Sequence, residues 1–231
     1  FGSKIFSSCD TCGVGTSIGV GTTLIIFGIL FLVSLKFKNA KNIFTYKALL
    51  IILLILMLLL IIFSPEIYSE DAYGHYLYSK NAISHPTLFL DQWNKPLFSI
   101  FTTLPYQFGL EAARVLSVLV GIATIFLTVK IAKELKISDK KTIVLLSALV
   151  PFFWLLATAP MTEMFFAFIT ALLLYFFVKD KVLFAAIMVS ILPFVRQEGF
   201  LFLGFFFLYW IIKKKWFALP ISLIIPIIFG L

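Results

Sequence analysis

The stretch SPEIYSEDAYGHYLYSKNAISHPTLFLDQWNKPL, residues 64–97, holds both histidines of the chain and four of its eleven acids among closely spaced aromatics. Helical spacing over DAYGHYLYSKNAI puts Asp71, His75 and Tyr78 on one face at i, i+4 and i+7, with Glu70 and Tyr73 on neighbouring faces. Ser69 is placed to cap that helix. Glu70 and Asp71 fall in its first turn, where the helix dipole favours acids. A carboxylate in this position can take a proton from a hydroxyl, with His75 and Tyr78 beside it as binding groups. The same residues also suit a plainer role, an amphipathic helix lying on a membrane with its tyrosines at headgroup level.

Further ionisable residues sit at the ends of apolar runs. Glu163 follows APMT, Arg196 and Glu198 lie in PFVRQEGF, Arg114 begins another run, and Lys95 lies in WNKPL. Charges this close to apolar segments are costly and usually face the interior of a bundle. Local pairing of Arg196 with Glu198, or snorkelling to the interface, is the simpler account. Taken together, they describe a cavity with carboxylates on a loop and guanidinium groups near the lipid. Such a cavity suits a sugar carried on a polyprenyl phosphate. Arg196 would hold the phosphate through paired donors, and a carboxylate would deprotonate the acceptor hydroxyl. Asp71, His75 and Glu163 leave room for a divalent metal ion, although their spacing defines no ligand set. The cofactor is therefore unknown.

The elements that must position these groups are apolar. The 231 residues are 61% hydrophobic and 13% charged, with a mean hydropathy of +1.08. A soluble domain is nearer half apolar and a quarter charged. The expected fold is all-α, a polytopic transmembrane bundle with an external loop containing interfacial helices. The expected spans are 18–35, 48–63, 111–129, 142–158, 163–178, 182–195, 200–212 and 216–231. The net charge of +8 is spread in short lysine clusters between apolar runs. That pattern orients a membrane protein and argues against nucleic acid as a partner. If the clusters at 36–47, 130–141, 179–181 and 213–215 are cytoplasmic, that side holds fourteen lysines and three acids. The external side then holds five cations and eight acids. Parity makes 96–109, PLFSIFTTLPYQFG, an interfacial or re-entrant helix. The short runs 182–195 and 200–212 meet at the polar RQEG, which also suggests a cavity.

The amino terminus carries a separate motif, Cys9 and Cys12 in SSCDTCGVG, ahead of the Gly/Ser/Thr-rich stretch 13–23. A CxxC at a helix start can be a redox pair, which makes a membrane thiol-disulfide oxidoreductase an alternative reading. The plainer account is a structural disulfide, which an external location permits, or a tail with no role. No second Cys or His pair completes a zinc site. A non-enzymatic lipid-linked-sugar binder or transporter is a third reading, sharing the groove but needing no base. Phe1 and the apolar end at Leu231 suggest a fragment, and no cleavable signal peptide is evident.

In order and spacing, SEDAYGHYLYSKNAI, then WNKPLFSI, then FGLEAARVLSVLVGIATIFLTVKIAKEL, then RQEG resemble the GT-C superfamily of membrane glycosyltransferases. The resemblance is to the branch of protein O-mannosyltransferases and aminoarabinose transferases, over roughly 48–212. It differs in the order Glu70-Asp71, in Lys95-Pro96-Leu97 lacking a second proline, and in Gln197 standing where relatives have proline. Because of that order either acid can be the base, and EDAY favours Asp71 over Glu70. The resemblance implies hexosyl transfer from a dolichyl- or undecaprenyl-phosphate donor to a protein or lipid-glycan acceptor at the external membrane face. It implies catalytic Asp71 and Glu70, with His75, Tyr78, Lys95, Arg114, Glu163, Arg196 and Glu198 binding substrate. On this reading residues 1–47 are an extra amino-terminal span with a lysine-rich loop. Residues 48–231 are then the GT-C-like module, truncated at its carboxyl end.

Overall fold

The computed structural model describes residues 45–64 and 69–229, and every described element is helical. The CxxC and the expected span 18–35 lie outside the described residues. Helix α1, Tyr46–Phe63, is an unbroken Leu/Ile run that Thr45 starts by accepting the Ala48 N–H at 3.2 Å. Helix α2, Glu70–Asn81, is capped as expected by Ser69, which accepts the Ala72 N–H at 3.2 Å. A 3₁₀ turn, Pro86–Leu90, leads to α3, Pro96–Tyr106. Its 11 residues rise only about 17 Å, too little to cross a bilayer. The longest helix is α4, Leu110–Glu134, entered through Gly109 at φ +105°, a conformation that glycine adopts freely.

The apolar run 142–158 does not form the single straight helix expected of it. It divides into α5, Lys140–Leu149, and α6, Pro151–Ala157, bent by 77° at Val150. Pro151 has no N–H to continue the ladder and takes the first position of a new helix instead. The Trp154 indole N–H reaches back across the bend to the Ala148 carbonyl at 2.6 Å, satisfying an acceptor at the end of α5.

Next come α7, Thr162–Val178, and α8, Val182–Ile191, which tightens into a 3₁₀ turn, Leu192–Phe194. Helix α9, Gly199–Ile212, follows. The expected span 216–231 is also broken. Pro220 and Pro226 accompany two five-residue helices, α10, Ala218–Ser222, and α11, Ile224–Ile228, each far too short to cross a bilayer.

Helices α1 and α4 are long and apolar enough to cross a membrane, and the bent α5–α6 pair makes a third if it counts as one span. One core joins α1, α4, α5 and α6 around Leu53, Met57, Val118 and Trp154. A second joins α7, α8, α9 and α10 around Leu173, Val189, Phe206 and Trp210. A third, around Tyr76, Phe98, Tyr106 and Phe165, seats α2 and α3 on the starts of α4 and α7. Gly121 allows close packing, because a Cβ there would meet Ala157 Cβ at 3.1 Å and Met164 Cε at 3.2 Å. The outer faces are apolar too, with Ile55, Leu119, Leu201, Phe205 and Leu208 exposed.

The two ends of the helices differ in charge. At one end Lys140 lies over the Tyr46 ring, Lys179 pairs with Glu134 at 3.3 Å, and Lys215 approaches Asp180 at 4.0 Å. Among the described residues this end holds eleven lysines against three acids, whereas the other holds four cations against six acids.

Candidate functional site

The acidic end opens into a cavity of about 470 Å³ lined by Asp71 and His75 of α2, Trp93 and Lys95 before α3, Glu163 at the start of α7, and the Arg196–Glu198 turn. Gln92, Met161, Thr162 and Gln197 complete its wall. Residues separated by more than a hundred positions meet here because α2, α7 and α9 all begin at this end.

Arg196 organises one wall. Its guanidinium pairs with Glu163 across the cavity and with Glu198 through two nitrogens, at 3.2 and 2.8 Å. It also donates to the Thr162 hydroxyl at 3.2 Å. The local pairing with Glu198 considered from sequence therefore does form, within a larger cluster. Arg196 draws the Glu198 carboxyl below its usual range. The stabilisation this brings is complete above the ordinary carboxylate pKa and is lost as pH falls through the lowered value.

The turn carrying Arg196 depends on Gly199. A Cβ at Gly199 would collide with the Leu192 carbonyl group and the Pro193 nitrogen, which are backbone atoms and cannot swing aside. Gly199→Ala should therefore shift this turn and cost about 1–3 kcal/mol, as overpacking does. Thermal unfolding in detergent checks this, and an unchanged midpoint would count against it.

The opposite wall is aromatic. Asp91 begins an Asx turn, its Oδ1 accepting the N–H groups of Trp93 at 2.8 Å and Asn94 at 2.9 Å. The turn lays the Trp93 ring on His75, centroids 4.3 Å apart and planes 8° from parallel. Phe98 meets the same imidazole edge-on at 5.5 Å. Gly74 makes room, since a Cβ there would stand 2.7 Å from the Trp93 ring. Asn94 Oδ1 lies 2.6 Å from His75 Nδ1, while Asn94 Nδ2 donates to Ser79 at 3.1 Å and Ser99 at 2.7 Å. Burial lowers the His75 pKa, outweighing the raising effects of Asn94, Glu163 and Asp71. Lys95 follows with a left-handed φ of 65° and begins α3. Lys95 makes no ion pair among the described residues.

Of the residues expected from sequence, Asp71, His75, Lys95, Glu163, Arg196 and Glu198 share this cavity. Glu70 is exposed and does not line it. Tyr78 touches the site indirectly, its ring 5.2 Å from that of Trp93. Arg114 lies elsewhere, 1% exposed, and donates to the carbonyls of Thr158 at 3.0 Å and Ser64 at 2.8 Å. Asp71, His75 and Glu163 form no group able to hold a metal ion among the described residues. Trp93, Asn94 and Thr162 were not anticipated. The polar pair His75 and Ser79, four apart on α2, is the signal that could have pointed to Asn94.

No protein-family model, curated protein sequence or solved structure matches the chain.

Proposed function

We propose that the chain is the membrane module of a GT-C-type glycosyltransferase. It takes a hexose from a polyprenyl-phosphate donor and passes it to a hydroxyl acceptor at the external face. The observation that carries this reading is the cavity itself, where carboxylates and cations from distant segments meet at the acidic end of an apolar helical bundle. The lysine-rich far end supports a multi-pass arrangement with that end in the cytoplasm. The apolar outer faces support a lipid-embedded body able to accommodate a polyprenyl chain.

In the proposed step, the acceptor oxygen attacks the anomeric carbon of the sugar. The bond from that carbon to the phosphate oxygen breaks, and the phosphate leaves with the electron pair. Asp71 takes the acceptor's proton. Exposed on the cavity and in the first turn of α2, Asp71 is open to an incoming acceptor. The leaving phosphate needs a cation that other groups do not already occupy. Arg196 is held by two carboxylates and a hydroxyl, so Lys95 fits that role best.

The test is donor binding and transfer with undecaprenyl-phosphate-linked mannose in membranes. Lys95→Gln should weaken donor binding about 10–100-fold, as losing one charge-assisted contact does. Arg196→Lys should weaken it less. No donor binding by the wild-type protein would reject the reading, and a larger loss in Arg196→Lys would return the phosphate to Arg196. A binder or transporter would show unaltered sugar movement in Asp71→Asn. The Cys9/Cys12 oxidoreductase reading rests on residues outside the described part, and nothing in the described site favours it.

A further inference from the structure

The buried polar network behind the cavity surrounds the Nδ1 side of His75. Ser99 Oγ donates to the Lys95 carbonyl at 3.1 Å, and Thr102 Oγ1 donates to the Phe98 carbonyl at 2.7 Å. Backbone carbonyls only accept, so the Ser99 hydroxyl is the donor to Lys95, and the Thr102 hydroxyl has Phe98 O and Ser79 Oγ as acceptors within reach. Ser99 then meets Asn94 as an acceptor, at 2.7 Å. Thr102 Oγ1 lies 2.8 Å from Ser79 Oγ, and Asn94 Nδ2 donates to Ser79 at 3.1 Å. Both protons of the Asn94 amide group are used, and its Oδ1 faces Nδ1 of His75 at 2.6 Å. An amide oxygen cannot donate, so the proton of the pair is on Nδ1. Asn94, Ser79, Ser99 and Thr102 are all fully buried, so water cannot reverse this order.

We propose that His75 is the residue in this cavity that recognises the sugar of the donor, a neutral imidazole whose Nε2 accepts a hydrogen bond from a hexose hydroxyl. This rests on the glycosyltransferase reading. The imidazole has Trp93 stacked on one face, Phe98 steeply tilted against it and Asn94 on Nδ1, while Nε2 has no hydrogen-bond partner among the described residues and His75 lines the cavity. Lys95 stands one residue beyond Asn94, so a phosphate held there would bring its attached sugar to this wall. The half-exposed Trp93 ring gives that wall the mixed aromatic and polar character typical of small-molecule sites. The charged groups around His75 are Asp71 from its own helix, Glu163 from α7, Arg196 and Glu198 from the turn before α9, and Lys95 before α3. Burial pushes the His75 pKa below the ordinary imidazole value, which favours the neutral ring in that range. As pH falls through that range the unfolded chain takes up its proton first, so this group's contribution to stability declines with acid. Once protonated, Nε2 becomes a donor and the acceptor is lost.

The chain has two histidines, so nitrogen NMR of imidazole-labelled protein in detergent, with His85→Gln to assign the signals, reads the tautomer directly. The expected result is an Nδ1–H, Nε2-bare ring at neutral pH. Asn94→Asp should raise the His75 pKa by supplying a negative acceptor on Nδ1. His75→Ala should weaken binding of undecaprenyl-phosphate-mannose about tenfold, the value of one hydrogen bond to a buried acceptor, and leave binding of undecaprenyl phosphate unchanged. An Nε2–H tautomer, or equal effects on the two lipids, would overturn the proposal while the glycosyltransferase reading stood. Failure of the wild-type protein to bind either lipid would overturn both, with the tautomer still measurable.

Discussion

On the proposed glycosyltransferase function, Asp71→Asn should lower sugar transfer by about 10²–10⁴-fold, the usual cost of removing a general base, while donor binding persists. Asparagine keeps the shape and the hydrogen-bonding reach of the side chain but cannot accept a proton at neutral pH. In the proposed transfer a sugar phosphate already carries a good leaving group, so the main demand would be to deprotonate and aim the acceptor. Both acids are exposed, but Asp71 lines the cavity with His75 and Glu163, whereas Glu70 does not. Glu70→Gln should therefore be close to wild type. Single-turnover transfer with pre-bound donor separates the chemical step from binding. Unaltered turnover in both variants would leave α2 as a surface helix and remove the acidic pair from the mechanism.

The asymmetry between these neighbouring acids follows from the helix start, which was legible in the residues alone. Ser69 can cap only if Glu70 and Asp71 open the first turn, and their 100° separation then sends one toward α7 and the other to the surface. The long apolar runs behind α1 and α4 were legible for the same reason, since an uninterrupted run without Pro needs no tertiary information to become a helix. The bend at Val150 was not, because ALVPFFW is apolar on both sides of Pro151 and hydropathy does not register a missing N–H. Pro151 breaks the ladder, and the Trp154 indole then satisfies the Ala148 carbonyl across the bend, a contact that depends on geometry rather than composition.

The candidate site divides in the same way. The charged residues at the ends of apolar runs marked the cavity because an ionisable group there needs a polar neighbour. Which neighbour it finds depends on packing between helices. Arg196 finds Glu163, 33 positions away, as well as the adjacent Glu198. Asn94 attracts no notice beside Trp93 and Lys95, yet it is the hub that holds α2 to α3 and orders the imidazole.

Arg114 is where the residue type alone misleads most, and the expected result follows from its bonds. An arginine near the start of a long apolar helix suggests a phosphate ligand, but this guanidinium is buried and spent on backbone. Its Nε donates to Thr158 O just past the end of α6, and one terminal nitrogen donates to Ser64 O just past the end of α1. The other lies 3.4 Å from both Ile61 O and the exposed Glu111 carboxylate. The last carbonyls of a helix have no partner within it, so one side chain on α4 satisfies the ends of two others. Arg114→Ala would leave these acceptors buried and bare, and losing two charge-assisted bonds of about 1.5–3 kcal/mol each should cost on the order of 3–5 kcal/mol. In a domain of this size that is a fall of roughly 10 °C in melting temperature. Arg114→Lys, keeping the charge but not the planar fork, should recover only part of the loss. Thermal unfolding in detergent, run beside donor-lipid binding, separates the two roles. A clasp predicts lower melting with donor affinity kept in the folded fraction. Wild-type melting with donor binding abolished would instead make Arg114 a ligand for the phosphate.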